Sequence, residues 1–191
     1  MAKEFDIQAL NTTIIGVVEE TFGRLLKVKF TSEPVAVQRE IVEYNSRMRV
    51  FPMEKFNGPV YVSVINFYLS TPDLNAGKAI GTFVFFVKED VADKLLKAFG
   101  VRLGESDNED LLMDNCGEFC NILAGSIKNE LANLGYVDLT LSAPSKYKSS
   151  IPEGVQFDYN LYQKQDISFS FWNQKCIAIE ACMGQVPLKG K

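Results

Sequence analysis

The sequence predicts an α+β fold in which helices pack on an antiparallel sheet. Three observations predict it. Two segments, one near the N-terminus and one near the middle of the chain, repeat apolar residues every three or four positions. Two neighbouring runs are dense in β-branched and aromatic residues, and two runs near the C-terminus alternate apolar with polar residues.

From Asp6 to about Lys27, Ile7, Leu10, Ile14, Ile15, Val18, Phe22, Leu25 and Leu26 recur at helical spacing and define a first helix with one buried stripe. The next segment, Phe30 to Pro59, mixes Pro34, Pro52, Gly58 and Pro59 with a charged stretch from Gln38 to Val50. It has no clear period and reads as a loop or arm with room for a strand. Val60 to Leu69 and Ala79 to Val87 are two paired antiparallel strands, separated by the break Pro72–Gly77. Glu89 and Asp90 then open a short second helix carrying Val91, Leu95, Leu96 and Phe99, which Gly100 closes.

Ser106-Asp107-Asn108-Glu109 has the form of a capping box and precedes a long periodic segment ending at Gly135. Val137 to Ser142 follows as a short strand and Pro144 to Gly154 as a polar loop. A final hairpin runs from Gln165 to Trp172 and from Cys176 to Met183, turning at Asn173-Gln174-Lys175. No internal repeat is visible at the residue level, and the whole chain, 1–191, reads as a single domain with an atypical segment at about 30–59.

Composition narrows the function. The net charge is −4 and the lysines are scattered among carboxylates, which gives no basic stripe for nucleic acid. No apolar run approaches the roughly 20 residues that span a bilayer, and the N-terminus lacks a signal-peptide pattern, so a cytoplasmic protein without membrane partners is expected. Histidine is absent, which removes histidine triads, imidazole bases and histidine-held metals. Cys116, Cys120, Cys176 and Cys182 lack paired Cys-x-x-Cys spacing and read as small buried hydrophobes rather than as a metal site or disulfides. Gly77-Lys78 lacks the rest of a phosphate-binding loop, and Trp172 reads as an aromatic packed at the rim.

On the long central helix, Leu112, Cys116, Phe119, Leu123, Ile127 and Leu134 share the side that faces the sheet. Asp114, Glu118, Asn121 and Gly125 share the opposite side, so a carboxylate and a carboxamide stand one turn apart beneath a glycine. A polar stripe is what any surface helix shows. Glycine inside a helix, however, costs about 1 kcal/mol against alanine and calls for a reason.

The run Asp114-Asn115-Cys116-Gly117-Glu118-Phe119-Cys120-Asn121-Ile122-Leu123-Ala124-Gly125 resembles the signature of the CheC/CheX/FliY chemotaxis phosphatases. That signature has an acidic or Ser residue, three residues, Glu, two residues, Asn and, after 22 more, Pro; here the proline is Pro144. The resemblance is to the CheX branch and to the CheC/CheX-like fold, although Phe30–Pro59 is longer than the family's connection there. The first helix has Glu19 and Glu20 but no Glu-x-x-Asn, which implies one active face per chain.

The resemblance implies hydrolysis of the aspartyl-phosphate of a CheY-like response regulator in chemotaxis signalling, with no covalent intermediate on this chain. Asn121 would orient the attacking water and Glu118 would pair with a lysine of the receiver. Asp114, Gly125 and Pro144 would shape the site. The resemblance further implies Mg2+ held by the receiver, no cofactor or metal bound by this chain, and a homodimer formed through strand edges. A non-catalytic CheX-like module that captures a receiver or sensory protein is the alternative.

Overall fold

A computed structural model describes residues 6–98, 100 and 109–190. α1 (Ile7–Thr21) starts where the Asp6 carboxylate accepts from the Gln8 amide, which satisfies one donor left over at the helix start. A π-helical turn, Phe22–Leu26, extends it to Lys27, whose φ of 51° ends the run. The arm beyond is more ordered than a loop. It contains the edge strand β1 (Val35–Glu40), the small hairpin of β2 (Glu43–Tyr44) and β3 (Arg47–Met48), and a 3-10 turn at Pro52–Lys55.

β4 (Val60–Tyr68) and β5 (Gly81–Lys88) pair antiparallel as the sequence predicts, with a short helix, α2 (Thr71–Asn75), in the break between them. α3 (Glu89–Ala98) follows β5 without a loop, and Gly100 stands at φ 81° beyond it. Phe99 and residues 106–108 of the capping box lie outside the described residues. α4 (Glu109–Asn133) is followed by Gly135 at φ 94°.

The chain after α4 departs from expectation at three points. Only Thr140–Leu141 of the segment 137–142 forms a strand, β6, on β4. The expected polar loop holds β7 (Ser145–Lys148), which pairs with β4 from Tyr61↔Lys148 to Val64↔Ser145. The last hairpin, β8 (Gln163–Phe171) and β9 (Gln174–Met183), turns at Trp172-Asn173, not at residues 173–175. Both turn residues are left-handed, φ 53° and 59°, the geometry that matches the twist of a two-residue hairpin. Trp172 bears that conformation because its ring is held: it packs edge-on against Phe171 at 4.8 Å, and the Lys94 ammonium lies 3.7 Å from its centroid. It is the rim-packed aromatic that the sequence predicts.

Apart from the β2–β3 hairpin, the strands form one antiparallel sheet in the order β1-β8-β9-β5-β4, with β7 and β6 following one another along the outer edge of β4. That order contains a repeat the residues conceal. α1, β1 and the β4–β5 hairpin have the same layout as α4, β7 and the β8–β9 hairpin, and each edge strand pairs with the other half's hairpin. The 41–59 and 149–162 connections are counterparts too. They meet in a two-bond bridge, in which the Met48 amide donates to the Val155 carbonyl and the reverse, both at 2.9 Å. Gly154 permits this approach: its φ is 70°, and a Cβ there would stand 2.8 Å from the Met48 carbonyl oxygen.

Both faces of the sheet are covered, so β4 is buried along its whole length. On one face Ile65, Phe67, Phe83, Phe85, Phe169 and Ile179 pack beneath α1, α3 and α4. On the other, Val60, Val62, Val64, Val84, Phe86 and Ala178 lie beneath Met48, Val50, Ile151, Val155 and Phe157. Charge anchors this second cover. Asp166 and Glu180 are direct cross-strand neighbours, an arrangement that repels unless neutralised. The Lys55 ammonium enters from the 3-10 turn between them, 2.6 Å from Asp166 and 2.5 Å from Glu180.

Candidate functional site

α4 buries Cys116, Phe119, Cys120, Leu123, Ala124, Ile127 and Leu131. Phe119 centres this face, with ring centroids 5.3 Å from both Phe22 of the α1 extension and Phe85 of β5. Leu112 is half-buried. Leu134, expected on the buried side, is exposed: it lies past the end of the helix, and Leu131 is the last residue of the stripe that the core covers. The four cysteines are free and buried, as read from the sequence. Burial pushes the Cys116 and Cys182 thiols up to about 12 and Cys120 well above its ordinary value. Among the described residues no group of three or more His, Cys, Asp or Glu gathers as metal ligands would, and no helix is long and apolar enough to cross a membrane.

On the outward side Asp114, Glu118 and Asn121 are exposed and Gly125 is partly exposed, so α4 brings all four to one face. The residues that cover the sheet at 48–56 lie on its far side and leave this face clear. Among the described residues a Cβ added at Gly125 would meet nothing within 4 Å, so none of their contacts calls for glycine there. Among the described residues, Glu118 and Asn121 have no ion-pair or hydrogen-bond partner in the chain. The carboxylate and the carboxamide are therefore available to an outside group.

Asp114 differs: the Lys146 ammonium of β7 holds it at 2.5 Å. The Lys146 stem crosses α4 over Gly117, where a Cβ would stand 2.7 Å from Lys146 Cδ and 3.0 Å from Cγ. Pro144 lies at the same place, its Cβ 3.8 Å from that position, so it borders the helix one turn before Asn121. Next along β7, Lys148 bridges Glu109 at 2.5 Å and Glu89 at 2.7 Å, which raises its pKa chiefly through the bonds to those carboxylates. Sequence reasoning missed Gly117, Lys146 and Lys148 as parts of this surface. The available signal was the alternation Lys146-Tyr147-Lys148, which carries meaning only if the segment is read as a strand beside an acidic helix.

This geometry defines a class. The fold is that of the CheC-like proteins, as three solved structures show. A CheC-like superfamily protein from Shewanella sp. PV-4 aligns with TM-score 0.60 and 15% identity over 93% of this chain and 98% of its own. CheX of Borrelia burgdorferi, solved as a complex with CheY, BeF3 and Mg2+, gives TM-score 0.56 and 13% identity over 96% and 100%. FliY of Thermotoga maritima gives 0.55 and 11% over 94% and 91%. None of the curated proteins is similar to the chain in sequence.

Within that class the family whose model matches is "Chemotaxis phosphatase CheX", over residues 74–153, a span that takes in all of α4 and Pro144. The resemblance to the CheC/CheX/FliY family that the Asp114–Gly125 run and Pro144 carry therefore holds in sequence as well as in fold.

Proposed function

We propose that this chain is a phosphatase for the aspartyl-phosphate of a CheY-like response regulator, with α4 as its docking face. The observation that carries the reading is the exposed pair Glu118 and Asn121, one turn apart on that face and without side-chain partners among the described residues. An acyl phosphate is already activated, so its hydrolysis needs a placed water more than a nucleophile from the enzyme. A carboxamide suits that task because it offers a donor and an acceptor and does not titrate. In this reading Asn121 orients the water in line with the phosphorus, and Glu118 receives the receiver's lysine. Asp114, Gly125 and Pro144 shape the surface. Mg2+ belongs to the receiver, as its presence in the complex of Borrelia CheX with CheY is consistent with. The outer edge of β1, exposed along all six residues, is the natural seam for a homodimer.

The test is the decay of a phosphorylated CheY-like receiver with and without the protein. Wild type should shorten the lifetime, Asn121→Ala should bind the receiver yet slow hydrolysis about 100-fold, and Glu118→Ala should chiefly weaken binding. A wild-type protein that binds and leaves the lifetime unchanged would instead be a capture module.

A further inference from the structure

We propose that Lys146 is a positioning residue that sets the docking register by silencing Asp114. The proposal rests on the phosphatase reading above. Asp114 and Glu118 stand four residues apart on one helix, so both point to the same side as neighbouring carboxylates. A partner that offers a single lysine would find two acceptors about one turn, roughly 5–6 Å, apart. Only engagement of Glu118 places the phosphoryl group at Asn121, one turn onward. Engagement of Asp114 would slide the partner back along the helix, away from the carboxamide.

The structure resolves the ambiguity within the chain. Lys146 contacts Asp114 at 2.5 Å while Glu118 stays without a partner among the described residues. Stability does not account for the pair: its side chains are 37% and 62% exposed, and ion pairs so exposed contribute little. Access does, since Gly117 clears the path. With any other residue at 117, the lysine stem would have to shift away from a contact of 2.7 Å at Cδ. The glycine, the lysine and the acid thus form one device, and neither Gly117 nor Lys146 belongs to the spaced signature.

Kinetics on the full chain, with a phosphorylated CheY-like receiver as the varied substrate, test it. Lys146→Met keeps the length of the side chain and removes the charge. Freed Asp114 then competes for the receiver, and binding in the wrong register lowers kcat and KM by a common factor of about two to five while kcat/KM holds. Adding Asp114→Asn to Lys146→Met should raise kcat and KM together from their values in the single variant, which loss of a purely structural contact would not allow. Gly117→Ala, which displaces the stem with both charges intact, should shift kcat and KM in the same sense. An active wild type whose kcat and KM are untouched by Lys146→Met, or a loss that Asp114→Asn fails to reverse, overturns this inference alone. A wild type that does not hydrolyse the phospho-receiver overturns the phosphatase reading and this inference with it.

Discussion

The two halves of the molecule are built alike and equipped differently. α1 buries Leu10, Asn11, Ile14, Val17, Val18 and Thr21, and the same spacing in α4 falls on Cys116, Gly117, Cys120, Leu123, Ala124 and Ile127. In that register Thr12 stands where α4 has Glu118, and Ile15 where it has Asn121. Asn11, reaching into the sheet, stands where α4 has Gly117 with Lys146 laid over it. Packing fixes the buried positions on both helices, since the same sheet must be covered twice. It places little demand on the outward ones, exposed Thr12 among them, although Ile15 is half-buried against the core, and there the halves diverge. The fold therefore says where a docking face can be, and a few exposed residues say whether it is one.

The largest effect tests what joins the halves. Lys55 comes from the connection of the first half and is held by Asp166 and Glu180 of the second, with its side chain 9% exposed against 11% and 3%. Lys164, 2.7 Å from Glu180, and Arg39, 3.0 Å from Asp166, share in this cluster, so Lys55→Ala should lower the free energy of unfolding by about 3 kcal/mol in denaturant titration, the low end for a broken buried pair. Among the described residues Asp166 is then left with Arg39 alone and Glu180 with Lys164 alone, while the two carboxylates still face one another across β8 and β9. A loss below about 1 kcal/mol, typical of an exposed pair, would show that the second cover rests on Met48, Val50 and their apolar neighbours alone.

Next in size is the contrast between the two helix faces themselves. On the proposed phosphatase reading, Asn121→Ala should slow dephosphorylation about 100-fold, equivalent to about 2.7 kcal/mol of transition-state stabilisation. Thr12→Ala and Ile15→Ala, at the matching places on α1, should leave the rate within about twofold. Equal losses on the two helices in receiver-decay measurements would break the asymmetry and give α1 a share in the chemistry.

The part of this pattern that could be read from sequence is the part fixed by period. β4 and β5 are legible because Val60–Tyr68 and Gly81–Lys88 are buried on both faces and hence almost wholly apolar and β-branched or aromatic. α4's outward face is legible because helical spacing alone groups Asp114, Glu118, Asn121 and Gly125. β7 is hidden because it is short and its one apolar contact, half-buried Tyr147 against the second core, stands between two lysines that span to carboxylates on α4 and α3. β1 is hidden because an edge strand with every residue exposed shows no alternation. The two-fold layout is concealed for a related reason. A shared scaffold requires only that buried positions be apolar and of fitting size, so two halves can agree in burial and differ at every residue.

The smallest effect concerns the difference at Asn11 and Gly117. The Asn11 amide donates to the Gln165 side-chain oxygen at 2.9 Å, and both residues are buried. That one bond leaves the Asn11 oxygen and the Gln165 nitrogen without partners among the described residues. A half-satisfied polar pair inside an apolar layer stabilises little, while breaking it strands a further polar atom. Asn11→Leu alone should therefore cost about 1–3 kcal/mol, since Gln165 then has no partner. Asn11→Leu combined with Gln165→Leu should recover that loss and end within about 1 kcal/mol of wild type. If thermal or denaturant unfolding shows the double variant to be less stable than Asn11→Leu alone, the pair does more than fill space. The halves would then differ in how α1 is fixed to the sheet and not only in what α4 presents to a partner.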